Sequence, residues 1–157
     1  MINAILALAA VGGVLGLLLG IADKYLKVEE DPRIEVVALC DIVEEKALWY
    51  KKEFFPNAKV YTDYKELLKD ESIDSVDICT PNYLHSIIAV DAFAAGKHVF
   101  CEKPDAVNVE EVLKMNEAAE KAGKTLMVMR NNRFAGASVM AKKFIDRGEM
   151  GEIYCGR

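Results

Sequence analysis

Short apolar runs alternate with helical stretches along the chain from Ile34 onward. The runs contain no regular polar alternation, which is typical of strands buried on both faces of a parallel sheet. They predict strands at Ile34–Cys40, Ala58–Tyr61, Val76–Cys79, Lys97–Cys101, Thr125–Met129 and Ile153–Cys155. The intervening stretches predict helices at Val43–Phe54, Asp63–Lys69, Tyr83–Ala95, Asn108–Ala122 and Ala135–Arg147. Strands separated by helices form right-handed βαβ units, so the pattern predicts a doubly wound α/β domain.

Residues at the predicted helix ends support these boundaries. Gly96 and Gly123 follow two of the helices, at the position where a left-handed residue closes a helix cheaply. Asn108 can cap the helix that ends before Gly123, and Glu110 and Glu111 lie in its first turn, where the helix dipole favours acids.

The chain begins with an apolar segment of a different character. The first 22 residues carry no charged side chain. As a helix, Ile2 to Ala22 would span roughly 31 Å, about the hydrocarbon thickness of a bilayer. We therefore predict a transmembrane helix over residues 1–27, a linker over 28–33 and the α/β domain over 34–157. Lys24 and Lys27 place the α/β part in the cytoplasm by the positive-inside rule. A secretory signal peptide is the alternative, although no basic residue precedes Lys24.

Charge and cysteine usage restrict the possible partners. The net charge of −5, without a basic patch, argues against a nucleic-acid partner. The four cysteines, Cys40, Cys79, Cys101 and Cys155, have no C-x-x-C spacing, so a zinc or iron–sulfur site has little support. Each closes a predicted apolar strand, which indicates small buried hydrophobes in a reducing compartment.

Polar residues follow several predicted strands, at the edge where parallel α/β sheets bind ligands. Asp41 ends the strand Ile34–Cys40, the position from which an acid holds the ribose of a dinucleotide. The alternative for Asp41 is a solvated helix start. Such an acid should follow a glycine-rich phosphate loop by roughly 20 residues, and no intact G-x-G-x-x-G precedes it.

Two further loops carry candidate chemistry. Thr80, Pro81, Asn82 and His85 join a strand to a helix, and their alternative role is turn formation and helix capping.

In the second loop, Glu102, Lys103 and Pro104 follow a buried strand. The lysine there could donate to a substrate hydroxyl or carbonyl while the carboxylate accepts from a sugar hydroxyl. The alternative is a surface ion pair of little energetic value.

The segments "TPNYLHSIIAVDAFAAGKHVFCEKP", "MVMRNNRF" and "IDRGEMGEIYCGR" resemble the Gfo/Idh/MocA family of NAD(P)-dependent oxidoreductases. The likeness runs from about Arg33 to Arg157. It implies a Rossmann domain that binds NAD or NADP, in an enzyme that oxidises the CH–OH group of a sugar, an inositol or a related polyol. The cofactor-binding residues that it implies are Asp41, Thr80, Pro81, Asn82, His85, Glu102, Pro104, Asn132 and Arg133. It also implies that Lys103 orients the reacting hydroxyl and that the bond before Pro104 is often cis.

Two parts of the family pattern are missing from this interpretation. The first strand with its glycine-rich loop should precede Asp41, and a carboxy-terminal substrate domain should follow Arg157. We therefore expect an incomplete Rossmann sheet that binds NAD(H) poorly and has no turnover alone.

The segment "GLLLGIADKYLKVEEDPRIE" resembles the amino-terminal membrane anchor of the RnfB component of the Rnf ion-translocating electron-transport complex. Together the two resemblances suggest a chimera with a junction at residues 31–35. The alternative functions are then a membrane-anchored electron-transport fragment or a non-catalytic binding remnant.

One interpretation restores the missing loop. Residues 11–16, Val-Gly-Gly-Val-Leu-Gly, match the last two glycines of G-x-G-x-x-G. Ile5–Ala10 would then be the first strand and Leu17–Tyr25 the first helix. Against this, Val11 occupies the position of the glycine that makes the tight turn.

Overall fold

The computed structural model of the chain describes the backbone of Ile2–Ala7 and residues 34–154. The strands are β1 (Ile2–Ala7), β2 (Ile34–Cys40), β3 (Lys59–Tyr61), β4 (Ser75–Ile78), β5 (His98–Cys101) and β6 (Leu126–Val128). The α-helices are α1 (Glu44–Glu53), α2 (Tyr64–Leu68), α3 (His85–Ala94), α4 (Val109–Ala122) and α5 (Gly136–Asp146). Short 3₁₀ turns at Asn82–Leu84 and Asn131–Phe134 precede α3 and α5.

The six strands form one parallel sheet in the order β3-β2-β1-β4-β5-β6. β1 lies in the middle of this sheet and pairs with β2 on one side and β4 on the other. Its register with β2 shifts between Ala4 and Ile5. The predicted doubly wound parallel sheet is therefore confirmed.

The position of β1 corrects two expectations about the amino-terminal segment. The predicted continuous helix from residue 2 onward is wrong for Ile2–Ala7, which form a strand inside the sheet. The expectation that the sheet lacks its first strand is wrong for the same reason. Within the described parts of the chain, no helix is long and apolar enough to cross a membrane. The remainder of the predicted anchor, the linker, the junction at 31–35 and the possible loop at 11–16 lie, wholly or almost wholly, outside the described residues.

Helices α1 to α4 pack on the two faces of the sheet. On one face, Val76, Ile78, Val99 and Cys101 are buried against residues of α3 and α4, including Phe93 and Met115. On the other face, Leu39 and Cys79 pack against residues of α1 and the turn that follows it. Neighbouring strands thus present buried side chains to helices on both sides, which is why they read as continuous apolar runs.

The caps predicted for α3 and α4 are present. The Asn108 side chain accepts a hydrogen bond from the Glu111 backbone N–H at 2.9 Å. Gly96 and Gly123 have φ angles of 74° and 62°, in the left-handed region where a side chain would cause strain. These residues end their helices so that the chain can turn into β5 and β6.

A cluster of hydrogen bonds to the Asp70 carboxylate connects β3 to the loop before β4. Its carboxylate accepts from Lys59 Nζ at 2.6 Å, from the Tyr61 hydroxyl at 2.9 Å and from the Ser72 backbone and hydroxyl. The bonds from Lys59 and then Ser72 hold the pKa of Asp70 well below its usual range. The cluster therefore stabilises the fold in the charged form of Asp70.

The carboxy-terminal part of the described chain differs from expectation. The strand predicted at Ile153–Cys155 is wrong for Ile153 and Tyr154, which have no regular secondary structure, while Cys155 lies outside the described residues. Helix α5 carries exposed apolar residues, among them Met140 and Phe144. The helix was predicted at Ala135–Arg147 and is present at Gly136–Asp146, but no strand follows it within the described residues.

Candidate functional site

The loops after β2, β4 and β5 lie at one edge of the sheet because the strands are parallel. Backbone hydrogen bonds continue the ladder past the strand ends. The Glu102 N–H donates to the Ile78 carbonyl at 2.9 Å, and the Met129 N–H donates to the Cys101 carbonyl at 2.8 Å. The Asp41 N–H donates to the Tyr61 carbonyl at 3.2 Å. The loops with the predicted site residues are thus held at a common edge.

Asp41 lies at the end of β2 with only 1% of its surface exposed. Its Oδ1 accepts a hydrogen bond from the Val43 N–H at 2.8 Å, at the start of α1. The carboxylate therefore orders the turn into the helix. It is not the solvated helix start that was considered as the alternative, because it is enclosed.

A tyrosine that the sequence did not single out lies near this carboxylate. Tyr50 on α1 is 4% exposed. Burial first, and then the charge of Asp41, raise the pKa of the Tyr50 phenol. Among the described residues, its hydroxyl has no hydrogen-bond partner. Tyr50 was missed because a tyrosine on an apolar helix face reads as ordinary core.

The loops after β4 and β5 present polar groups of different accessibility. Asn82, Lys103 and Pro104 are exposed, Glu102 is half-buried and Thr80 is buried. The Lys103 backbone N–H donates to Glu102 Oε2 at 2.9 Å, so the carboxylate folds back on its own loop. The Lys103–Pro104 peptide bond is cis, as the family resemblance implied. The loop after β5 therefore offers an ammonium group and a carboxylate at the sheet edge.

His85 joins these two loops. It is the first residue of α3 and is 1% exposed. Its Nδ1 lies 2.8 Å from the Pro104 carbonyl oxygen, and its Nε2 lies 2.7 Å from the Thr80 carbonyl oxygen. The ring is thus enclosed between the loops, with both nitrogens directed at protein backbone.

The segment after β6 contributes another connection that the sequence did not reveal. Arg130 forms an ion pair with Asp105 at 2.7 Å, which links this segment to the loop after β5. Asn132 and Arg133, which the family resemblance implied to bind the cofactor near its nicotinamide end, are on the 3₁₀ turn that follows. No sequence pattern pairs Arg130 with Asp105, because their contact depends on the neighbouring positions of β5 and β6.

The described cysteines directly precede the site residues Asp41, Thr80 and Glu102, but they are buried in the core. Cys40, Cys79 and Cys101 are buried free thiols, and burial raises the pKa of both Cys40 and Cys101 to about 12.

A cavity of about 850 Å³ opens near Ser75, His98 and Thr125, at the amino-terminal ends of β4, β5 and β6 and therefore away from the polar loops. The polar loops at the carboxyl ends of the strands remain the candidate site.

A parallel sheet in this order, with polar loops at the carboxyl ends of its inner strands, defines a dinucleotide-binding domain of the Rossmann class. Residues 11–130 match the GFO_IDH_MocA family, described as an oxidoreductase family with an NAD-binding Rossmann fold. The chain belongs to this family.

Individual relatives agree with this assignment. The chain is 38% identical over 120 residues to inositol 2-dehydrogenase of Salmonella paratyphi B, which covers 76% of this chain and 36% of that protein. It is similar to the crystal structure of an NAD-binding oxidoreductase from Klebsiella pneumoniae, with 37% identity, a TM-score of 0.78 and coverage of 96% of this chain and 40% of the other. The WlbA dehydrogenase from Bordetella pertussis, in complex with NADH and UDP-GlcNAcA, is 27% identical with a TM-score of 0.83, covering 98% and 42%. The chain thus spans about a third of the length of its curated relative.

Proposed function

We propose that this chain is the nucleotide-binding part of an NAD-dependent oxidoreductase that acts on a CH–OH group of an inositol, a sugar or a related polyol. The main observation behind the proposal is that the loops after β4 and β5 are held together at the edge of the sheet. One contains Asn82, the other contains Glu102 and Lys103, and His85 contacts the backbone of both. The names of the relatives, an inositol dehydrogenase among them, support the substrate class.

The groups at the strand ends fit the parts of a dinucleotide. The exposed Asn82 amide can donate and accept hydrogen bonds, and the half-buried Glu102 carboxylate can accept one from a ribose hydroxyl. Asp41, at the end of β2, is the group for the adenosine ribose. Thr80, Pro81 and Pro104 shape the cleft through their backbone, and Asn132 and Arg133 lie on the segment assigned to the nicotinamide end.

The carboxylate of Asp41 favours NAD over NADP. A negative charge at the ribose accepts a hydrogen bond from the 2′-hydroxyl of NAD, but it repels the 2′-phosphate of NADP. The next two residues, Ile42 and Val43, carry no charge that could offset this repulsion. We therefore assign NAD as the preferred cofactor.

Lys103 is the residue that would orient the substrate. Its side chain is exposed at the sheet edge beside Glu102, so its ammonium group can donate to the hydroxyl that is oxidised. When bound, the nicotinamide ring supplies the hydride acceptor. The protein's contribution on this side of the site is to position the carbon that loses hydride.

The phosphate-binding segment of this proposal is residues 11–16. They lie outside the described residues, but the family match begins at residue 11 and extends past the suspected junction at 31–35. A match over this range favours one continuous domain over a chimera. Val11 takes the place of the first glycine of the loop, which would weaken hydrogen bonding to the pyrophosphate. We therefore still predict weak NAD(H) binding although β1 is present.

Titration of the chain with NADH tests the proposal. Trp49, the only tryptophan, is half exposed on α1 and can transfer excitation energy to bound NADH. We expect saturable binding that Glu102→Gln weakens roughly tenfold, because one charge-assisted hydrogen bond is lost. Glu117→Gln makes the same chemical change at an exposed position of α4 and should leave the affinity unchanged. Equal affinities for the parent and Glu102→Gln would contradict the site, and no saturation at all would favour a remnant without cofactor binding.

Lys103→Ala tests the role in turnover. In a protein completed with the substrate domain of a related inositol dehydrogenase, this change should abolish NADH formation, measured by absorbance. NADH binding should remain, because the lysine is assigned to the substrate. Lys121→Ala, an exposed lysine in the last turn of α4, should preserve both. Full activity of the Lys103→Ala protein would show that this lysine is only a surface charge.

A further inference from the structure

The two histidines of the chain have opposite hydrogen-bonding environments. His98 Nδ1 accepts a hydrogen bond from the Thr125 backbone N–H at 3.1 Å, so that nitrogen carries a lone pair. Both nitrogens of His85 instead lie against carbonyl oxygens, which only accept. A neutral imidazole has a single N–H and can satisfy only one of these two contacts.

The neutral form of His85 is therefore unfavourable in this position. One of its nitrogens would direct a lone pair at a carbonyl oxygen less than 3 Å away, and the ring itself is only 1% exposed. The imidazolium form donates from both nitrogens. At 2.8 Å and 2.7 Å, both contacts are within hydrogen-bonding distance, so this form satisfies both.

The charges around His85 also bear on its protonation. Its position at the start of α3 opposes a positive charge, because the helix dipole is positive there. The surrounding segments carry more acids than bases. Their ionisable side chains are Asp77 on β4, Glu102, Lys103 and Asp105 after β5, Arg130 after β6, which pairs with Asp105, and Glu110 and Glu111 at the start of α4. Glu111 accepts from the hydroxyl of Ser86, the residue next to His85, at 3.0 Å.

We propose that His85 is an imidazolium that joins the loops after β4 and β5 and thereby positions Asn82, Glu102 and Lys103 relative to one another. The Thr80 carbonyl lies two residues before Asn82, and the Pro104 carbonyl lies one residue after Lys103. Each of the two hydrogen bonds therefore fixes a loop that carries a site residue. Loss of one proton would remove one of the bonds and free one loop. His85 is a positioning residue, since its ring nitrogens are both directed at backbone carbonyls.

Long-range ¹H–¹⁵N correlation spectra of the labelled chain at about neutral pH test this protonation state. We expect both ring nitrogens of His85 to show the shifts of protonated nitrogens, each with a proton that exchanges slowly. His98 should show one protonated and one unprotonated nitrogen in the same spectrum. His98→Gln removes its own signals, which assigns the remaining ring without changing His85. An unprotonated nitrogen on His85 would overturn the proposal.

A titration towards high pH tests the positioning. As His85 loses its proton, the backbone amides of Asn82, Lys103 and Asp105 should shift with the same midpoint as the ring. Amides that do not follow the ring would overturn the positioning role.

The expected loss of NADH affinity over this transition, roughly tenfold, rests on the proposed function. A doubly protonated ring with coupled amides but no NADH binding at any pH would support the role of His85 and refute the proposed function.

Discussion

Substitution of Asp41 by Asn and by Ala separates a structural role of this carboxylate from a role in nucleotide binding. Its Oδ1 accepts from the Val43 N–H inside an enclosed turn. Asn keeps an acceptor of the same shape, so we expect Asp41→Asn to change the free energy of unfolding little. Asp41→Ala removes the acceptor and should destabilise the protein by roughly 0.5–1.5 kcal/mol, the usual net contribution of one hydrogen bond.

The two substitutions should differ in their effect on stability but not in their effect on nucleotide binding. A charge-assisted hydrogen bond to a ribose hydroxyl contributes roughly 1.5–3 kcal/mol, which corresponds to about a ten- to hundredfold change in affinity. Both Asp41→Asn and Asp41→Ala should therefore weaken NADH binding by this factor. Asp41→Asn should also narrow the gap between NADH and NADPH, because the repulsion of the 2′-phosphate is removed.

Urea denaturation followed by Trp49 fluorescence measures the stability of each variant, and titrations with NADH and NADPH measure the affinities. Asp63→Asn is the matched control. Asp63 follows the neighbouring strand β3 and accepts from the Lys65 N–H at 2.8 Å, so it also orders the turn into a helix but has no assigned ligand. If Asp41→Asn binds NADH as tightly as the parent and the Asp63 control, Asp41 only orders the turn into α1 and the ribose assignment is refuted.

The described thiols and the Asp70 cluster give further predictions. Because burial raises the pKa of Cys40 and Cys101 to about 12, iodoacetamide at about pH 8 should leave both unmodified in the folded chain and alkylate both in denaturant. Peptide mass spectrometry measures this, and alkylation of the folded chain would contradict it. The hydrogen bonds to Asp70, of which the one from Lys59 has the largest effect, lower its folded-state pKa below the unfolded value. Its stabilising contribution is therefore present above about pH 4 and lost as the pH falls towards the folded-state pKa. Asp70→Asn should flatten the dependence of the urea midpoint on pH in this range, and an unchanged slope would argue against the cluster.

The periodic parts of the fold could be predicted because their local signals agree with the tertiary structure. The strand Ile34–Cys40 was predicted with the observed bounds, and the predicted bounds of β4 and β5 differ from the observed ones by at most one residue at each end. Asn108, Gly96 and Gly123 define helix ends by chemistry that acts within a few residues.

The amino-terminal segment shows where local patterns stop being sufficient. A short run of uncharged apolar residues is compatible with a buried strand and with a helix, and periodicity alone cannot separate them. What makes Ile2–Ala7 a strand is its pairing with β2 and β4, which no local pattern records. The length of the uncharged run favoured a membrane helix, but length carries no information about distant partners.

The site was predicted at the level of loops but not of contacts. The sequence placed Thr80, His85 and Glu102 at strand ends, which the structure has at one edge of the sheet. It did not show that His85 would face two carbonyl oxygens or that Asp41 would be enclosed. Both features depend on how separate loops approach each other, so they require coordinates.

The central place of β1 has a consequence for the order of folding. It is synthesised before every other described strand, yet Ala4 pairs with Ser75, which follows about 70 residues later. The pair β2–β3 and the group β4–β5–β6 are connected in the sheet only through this strand. Closure of the sheet therefore waits for a contact of long sequence separation, and such contacts slow folding. During synthesis β1 must stay available until β4 has emerged, so it gains its second neighbour only after β2, which follows it in the chain, has been able to pair with both of its own.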